Sequence, residues 1–172
     1  MSESDRRHVA YHEAGHAVAN CRFEILQTKA TIVPRGGFSG AVVSEGKDHL
    51  WSADQAQSQV LSFCAGYAAL IATGLERGIA LQGCDDDIDA AAGLIADWAL
   101  SGTLIDWQAR AVELMSRPEN IRAVDFVAKE LLKHETLYGD YVGMLIQWAD
   151  GNITDDEWCR FVACQYPRMA ML

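Results

Sequence analysis

The amino-acid sequence predicts one mainly α-helical domain with a small β-hairpin, and three observations predict it. The chain has 172 residues, which is the length of a single domain with one hydrophobic core. Half of its residues are apolar and 22% are charged, the ordinary usage of a globular protein. Apolar residues recur at helical spacing over most of the length. Because no repeat or low-complexity linker interrupts it, we expect a single domain over residues 1–172.

The amino-terminal elements are predicted from capping and turn residues. Ser4 and Asp5 offer N-cap oxygens for a first helix over about 5–21. The β-branched runs at 29–33 and 40–43 flank a proline and paired glycines, and this pattern predicts a β-hairpin.

Helices are predicted for the rest of the chain. Ser52 opens a capping-box pattern, and the apolar segment behind it predicts a helix to about residue 72. The glycine-punctuated segment 74–83 predicts a loop, after which Asp85 or Asp86 caps a helix to about residue 100. Further helices are predicted near 106–116, 119–134 and 139–149, with a last one behind the capping box at Thr154.

Charge and composition exclude several classes of partner. The net charge is −10 and Lys and Arg form no patch, so neither nucleic acid nor an anionic membrane surface is an expected partner. The uncharged run 60–75 contains Ser, Thr and Gly and is shorter than the roughly 20 apolar residues of a membrane-spanning helix. The amino terminus lacks the apolar core of a signal peptide.

The odd number of cysteines, without a C-x-x-C pair, indicates reduced and mostly buried thiols in a cytoplasmic protein.

A metal-binding pattern lies on the first predicted helix. His12-Glu-Ala-Gly-His16 has the form H-E-x-x-H, and side chains four residues apart on a helix lie one above the other, so both imidazoles can reach one ion. Imidazole nitrogen is a favoured zinc ligand, and a catalytic zinc takes three protein ligands plus a water. Glu13 lies beside that ion, where it can accept a proton from water attacking a peptide carbonyl. The pattern therefore predicts His12 and His16 as zinc ligands and Glu13 as the catalytic base.

The alternative for this motif is a solvated helix face that carries two unrelated histidines, since short motifs also occur by chance. Small residues favour the metal site: Ala14, Gly15 and Ala17 allow another backbone to approach closely. Gly15 costs a helix about 1 kcal/mol relative to alanine, which indicates a packing or functional reason for it.

An acidic segment at residues 83–89 offers a third ligand. Asp87 falls in the first turn of the predicted helix, where the helix dipole favours the ionised carboxylate that a zinc ligand must present. The alternative is a surplus of capping residues. Spacing alone does not separate the four candidates Asp85, Asp86, Asp87 and Asp89.

The motif segment and two further segments resemble the peptidase domain of the FtsH-type ATP-dependent zinc metalloproteases. Residues 10–18, AYHEAGHAV, are similar to the zinc-helix signature of that family, and residues 30–36, ATIVPRG, to the strand and turn that follow it. Residues 83–88 look like the family segment G-A-x-N-D-L, whose aspartate is the third ligand. Matched position for position, this resemblance selects Asp87.

The resemblance continues towards the carboxyl terminus. Residues 128–139 are similar to the family's closing helices and E-T-L-x-G turn, so the resemblance spans about 7–146. Residues 150–172 then form a C-terminal helical extension. The resemblance implies a helical zinc metallopeptidase domain that holds Zn²⁺ through His12, His16 and Asp87 and hydrolyses polypeptides.

Departures from the family qualify what the resemblance implies. Its members also carry a membrane anchor and an AAA+ ATPase, whereas the P-loop pattern G-x-x-x-x-G-K-[ST] is missing from these residues, so a separate ATPase or unfoldase is the expected partner. Tyr67–Ile71 stands where the family has R-A-A-E-E. Loss of such supporting carboxylates can change metal affinity 10- to 100-fold.

Two functions follow as hypotheses. The first is a stand-alone zinc endopeptidase that cuts flexible or unfolded polypeptides. The alternative is a non-catalytic zinc-binding or regulatory module that retains the peptidase fold. The intact His-Glu-His set favours the enzyme, because a structural zinc site needs no base and usually closes with four protein ligands.

Other conspicuous residues have less specific interpretations. Arg35–Gly40 fits equally an ordinary hairpin turn or a sheet edge that holds substrate as an added strand. His8 is expected to face solvent or support the site, and His49 and His134 lack any partner pattern. The tryptophans fall on apolar helical faces and are expected in the core: Trp51, Trp98, Trp107, Trp148 and Trp158.

Overall fold

A computed structural model describes residues 2–34, 39–44 and 52–167 of the chain. Its helices and one small sheet pack around a shared hydrophobic core. The predicted fold class, mainly α with a small sheet, is confirmed. In chain order the elements are α1 (Glu3–Arg22), β1 (Gln27–Thr31), β2 (Ala41–Ser44), α2 (Ala53–Ala72), α3 (Arg77–Ala80), α4 (Asp85–Asp97), α5 (Leu104–Met115), α6 (Pro118–His134), β3 (Thr136–Tyr138), α7 (Gly139–Ala149) and α8 (Asp155–Gln165).

Helix α1 begins earlier than predicted and runs through the interior. Its N-cap is Ser2 rather than Ser4 or Asp5: Ser2 Oγ accepts from the Asp5 amide, and the Asp5 carboxylate accepts from the Ser2 amide, which completes a capping box. Residues 10–20 are all buried, because the helix packs against α2 on one side and α6 on another. The H-E-x-x-H motif therefore lies inside the molecule rather than on a solvated face.

The predicted hairpin is present and belongs to a three-stranded antiparallel sheet with the order β2-β1-β3. Ala30 of β1 pairs with Val42 on one side and with Leu137 of β3 on the other. Strand β3 was not predicted, because it comprises only 3 residues and is too short to give an alternating pattern. Among the described strands, β2 lies at one edge of the sheet, where its first residues border a cleft.

Three predictions around α4 differ from the structure. The expected loop at 74–83 contains the short helix α3. The N-cap of α4 is Cys84, so Asp85 and Asp86 lie within its first turn instead of capping it. The helix also ends at Asp97, since Ala99 adopts a left-handed φ of 46° that ends a helix.

The later helices follow the prediction with small shifts. Helix α5 begins two residues early behind a capping box at Thr103, and α8 begins behind the predicted one at Thr154. Helix α6 begins at Pro118, one residue before the predicted start at 119, and proline at this first position costs no hydrogen bond through its missing N–H. None of the described helices is long and apolar enough to span a membrane.

Helices α1 and α2 approach closely at Gly15. A Cβ at this position would lie 2.3 Å from the carbonyl oxygen of Ala65 and 2.7 Å from Cβ of Ala69. The predicted reason for a glycine in this helix is therefore confirmed as a backbone contact. The close approach brings the motif against α2.

Two predictions about buried residue types are only partly right. Trp107 and Trp158 are buried, whereas Trp98 and Trp148 are partly exposed and Trp51 lies outside the described residues. Most cysteines were expected to be buried. The structure buries Cys64 and Cys84, leaves Cys21 partly exposed, and exposes Cys159 and Cys164 on α8.

Candidate metal centre

The two motif histidines face each other one turn apart on α1. Their Nε2 atoms are 3.0 Å apart, and the rings meet edge to face with centroids 4.6 Å apart. Both residues are buried, with His12 8% and His16 7% exposed. The two nitrogens thus converge on one point, as the i, i+4 spacing predicts.

Asp87 brings a carboxylate from the first turn of α4 to the same point. Its Oδ2 lies 3.1 Å from Nε2 of His12 and 3.1 Å from Nε2 of His16. Among the described residues, these three form the one group of His, Cys, Asp or Glu side chains with metal-binding geometry. The neighbouring Asp85, Asp86 and Asp89 are not part of it.

The dimensions and chemistry of this triad fit a zinc ion. A tetrahedral zinc with bonds of about 2.0–2.1 Å separates its ligand atoms by about 3.3–3.4 Å, and the observed separations are 3.0 and 3.1 Å. Burial alone would raise the pKa of Asp87, but the charge of His16 and hydrogen bonds from both histidines hold it well below its usual range. The carboxylate is therefore ionised and ready to bind a cation.

The tautomer of His16 also suits metal binding. Its Nδ1 lies 2.8 Å from the carbonyl oxygen of Ser62, which can only accept, so Nδ1 carries a proton, and a bound metal would replace the Nε2 proton that now faces Asp87. Burial would lower the pKa of His16, but the charge of Asp87 outweighs burial and raises this pKa to about 9. The site thus has a strong attraction for positive charge at this nitrogen.

Cys84 contacts the other histidine. Its Sγ lies 3.8 Å from Nδ1 of His12 and donates to the carbonyl oxygen of Ala80 at 3.2 Å. The sulfur lone pairs can therefore accept from Nδ1 and leave Nε2 of His12 for the metal. Sequence reasoning missed both Ser62 and Cys84 as partners of the histidines.

The segment Tyr67–Ile71 on α2, which stands where the family has R-A-A-E-E, packs side chains into the hydrophobic core. Tyr67 and Leu70 are buried in the core, 7% and 1% exposed. The partners of the histidine rings on Nδ1 are the Ser62 carbonyl oxygen and the sulfur of Cys84.

Glu13 lies beside the triad and under the sheet edge. It is 6% exposed, and burial raises the pKa of its carboxyl to about 7. A Cβ at Gly40, just before β2, would lie 2.7 Å from Oε1 of Glu13. Because Gly40 has no side chain, the Glu13 carboxylate has room beside it. The sequence analysis did not assign this role to Gly40.

These groups open into a cleft of about 1050 Å³ between α1, α2, α4 and the β2 edge. It is lined by carboxylates from α1 and α4, with no Lys or Arg among the described lining residues. Ser39 and Gly40 border it, whereas 35–38 lie outside the described residues, so the two interpretations of Arg35–Gly40 both stay open.

The two other described histidines, His8 and His134, stay apart from the triad. His8 lines the cleft, and its Nε2 lies 3.3 Å from the carbonyl oxygen of Gln82. Nε2 of His134 lies 3.3 Å from a carboxylate oxygen of Glu130 on α6. His49 lies outside the described residues.

Gly66 on α2 provides a first test of the geometry. A Cβ there would lie 2.5 Å from Cε1 of His12 and 2.5 Å from Nε2 of His16. Because both rings would have to leave their positions, we expect Gly66→Ala to lower zinc affinity at least tenfold, as loss of ligand orientation does elsewhere. Isothermal titration with zinc measures this.

The matched control is Gly93→Ala on α4, where an added Cβ meets nothing within 4 Å. It should leave zinc affinity unchanged and raise the free energy of unfolding by about 0.5–1 kcal/mol through helix propensity. Equal zinc affinities in the two variants would contradict the position assigned to Gly66.

The fold is mainly helical, and one helix carries the H-E-x-x-H motif. The two histidines of this motif meet an aspartate from a distant helix, which is the arrangement typical of a metallopeptidase. The family model described as Peptidase family M41 matches residues 1–101. The chain belongs to this family.

The chain is also similar to curated proteins that are named zinc metalloproteases. An ATP-dependent zinc metalloprotease FtsH of Leuconostoc mesenteroides is 38% identical over 98 residues, covering 55% of this chain and 14% of the relative. FtsH 3 of Phytoplasma mali is 30% identical over 159 residues, covering 77% of this chain and 26% of the relative. FtsH of Thermus thermophilus is 43% identical over 72 residues, covering 40% and 12%. The chain thus spans about a quarter or less of the length of these relatives.

Proposed function

We propose that this chain is a zinc-dependent endopeptidase that hydrolyses flexible or unfolded polypeptides, with His12, His16 and Asp87 as metal ligands and Glu13 as the base. One observation carries the proposal: three ligand atoms from two helices lie 3.0–3.1 Å apart next to a buried glutamate. A structural zinc site would need neither that glutamate nor an open fourth position.

The metal ligands and Glu13 would have different roles in peptide hydrolysis. A zinc ion bound here would supply a Lewis acid and a nucleophilic water at neutral pH. Glu13 accepts the proton of the attacking water on its carboxylate and returns it to the leaving amine. The elevated pKa of Glu13, about 7, suits both steps, because a base and acid works best with a pKa near the ambient pH.

The shape of the cleft supports an extended substrate. The edge strand β2 and the preceding Gly40 border it on one side, and a peptide can add to such an edge through main-chain hydrogen bonds. A folded protein cannot offer an extended segment there, so the substrate is flexible or unfolded. The relatives are named ATP-dependent, and we infer that an ATPase or unfoldase in the cytoplasm supplies this site with unfolded substrate.

The test is cleavage of casein by the purified chain, with zinc content measured in the same sample. We expect about one zinc per chain and cleavage that stops on treatment with a chelator and returns on addition of zinc. Circular dichroism before and after chelation controls for unfolding, since metal removal can destabilise a fold.

A chain that binds zinc at the triad but cleaves neither casein nor short peptides would contradict the proposal. That outcome, with or without an added unfoldase, would instead favour the non-catalytic module. The replacement of R-A-A-E-E by Tyr67–Ile71 is the observation that keeps this second function under test.

A further inference from the structure

Two buried carboxamides lie at one end of the cleft. Asn20 is on α1 one turn beyond His16, and Gln59 is on α2; they are 2% and 6% exposed. Both line the cleft. Because side chains four residues apart share a helix face, this polar end lies next to the proposed metal ligands.

The side-chain amide atoms at this end of the cleft are only partly used by hydrogen bonds within the described residues. Ser62 Oγ donates to Oδ1 of Asn20 at 2.5 Å, which leaves the two N–H donors of the Asn20 amide. Gln59 offers two donors and one acceptor. Within residues 2–34, 39–44 and 52–167, neither the Asn20 Nδ2 nor the Gln59 amide has a hydrogen-bond partner. The Asn20 Nδ2 and Gln59 amide atoms are not among the fully buried atoms without a partner, so they face the cleft that both residues line and are available to a ligand there.

The free atoms define the chemistry of that ligand. It must accept from Asn20 and can both donate to and accept from Gln59. An ammonium group only donates. A carboxylate only accepts, and it would also be repelled by Glu13 and Asp87 in the same cleft. An uncharged carboxamide provides both functions and replaces solvent without loss of hydrogen bonds.

We propose that Asn20 and Gln59 form a subsite for an uncharged carboxamide side chain, Gln or Asn, of the polypeptide substrate. This proposal rests on the proposed endopeptidase function and adds to it a determinant of specificity. One helical turn rises about 5.4 Å, and an extended peptide advances about 3.3 Å per residue. The side chain bound here therefore lies one or two residues from the bond that is cut.

Matched peptides test the subsite in the zinc-loaded chain. The peptides differ only in one residue, which is Gln, Leu, Glu or Lys, scanned over the positions on both sides of the cut. At one position we expect kcat/KM for Gln to exceed that for Leu by about tenfold or more. Gln59→Met, similar in size but without hydrogen bonds, should abolish this preference and change kcat/KM for the Leu peptide by less than about threefold.

Two outcomes of the peptide scan would overturn the subsite. The first is a wild-type chain without preference for Gln at any position. The second is an equal fall in kcat/KM for all peptides in Gln59→Met, which would indicate a main-chain contact or a purely structural residue.

A binding measurement separates this proposal from the proposed function. Side-chain NH₂ signals of Asn20 and Gln59 can be followed by NMR in the zinc-free chain while a Gln or a Leu peptide is added. We expect the Gln peptide to shift both signals and to bind more tightly, with that advantage lost in Gln59→Met. Selective binding without cleavage would leave the subsite standing and reject the endopeptidase. Cleavage with neither selectivity nor shifts would reject the subsite alone.

Discussion

Glu13→Gln is expected to lower kcat for peptide hydrolysis by about 100- to 10,000-fold, the range that a general base contributes. Glutamine keeps the shape of the side chain beneath Gly40 but cannot accept the proton of the attacking water. The zinc content should stay at the wild-type level, because the ligands His12, His16 and Asp87 are unchanged. The measurement is hydrolysis of a fluorogenic peptide alongside metal analysis of the same preparation.

Glu113→Gln is the matched control, since this glutamate is exposed on α5, away from the cleft. It makes the same chemical change and should leave both activity and zinc content unaltered. Undiminished hydrolysis in Glu13→Gln would remove the glutamate from the mechanism. Loss of zinc together with activity would make it a structural residue.

Asp87→Asn is expected to lower zinc affinity by about 100- to 1,000-fold. Binding free energies of structural zinc sites with four protein ligands are about 10–16 kcal/mol, so one ligand is worth about 2.5–4 kcal/mol, which corresponds to that factor. The substitution also removes the charge that attracts a cation to His12 and His16. Zinc titration and the zinc-dependent rise in melting temperature measure the effect, because a ligand stabilises the folded state according to its affinity.

Asp86→Asn tests whether position rather than charge matters. Asp86 precedes Asp87 in the same helical turn and also lines the cleft, but it does not belong to the triad. We expect its zinc affinity to remain within about threefold of wild type, since only a nearby charge is lost. Equal losses in the two variants would mean that the acidic segment acts through its general charge.

The first half of the fold was predictable because its signals are local. The motif helix, the hairpin and α2 each carry caps, periodic apolar residues or paired glycines close together in sequence. The start of α1 was missed because Ser2 and Asp5 form a capping box that competes with a plausible cap at Ser4. Strand β3 was missed because pairing with β1, a tertiary contact, makes it a strand.

The residues of the candidate site were likewise predictable only where the signal is local in sequence. Helical periodicity brings His12 and His16 together from the sequence alone, whereas the choice of Asp87 over its acidic neighbours depended on a match to the family segment. In the structure, α4 directs Asp87 towards α1, and no pattern within residues 83–89 contains that orientation. The contacts from Ser62, Cys84 and Gly66 also come from other helices and could not be read from local spacing. An isolated glycine within the apolar α2 was the one available signal, because such a glycine often marks a close contact.

The most direct measurement is a crystal structure of the zinc-loaded chain. We expect one zinc ion bound by Nε2 of His12, Nε2 of His16 and a carboxylate oxygen of Asp87, with the Glu13 carboxylate within hydrogen-bond reach of the water in the fourth position. An ion that binds the two histidines while Asp87 turns away, with no other acid in its place, would contradict the metallopeptidase centre.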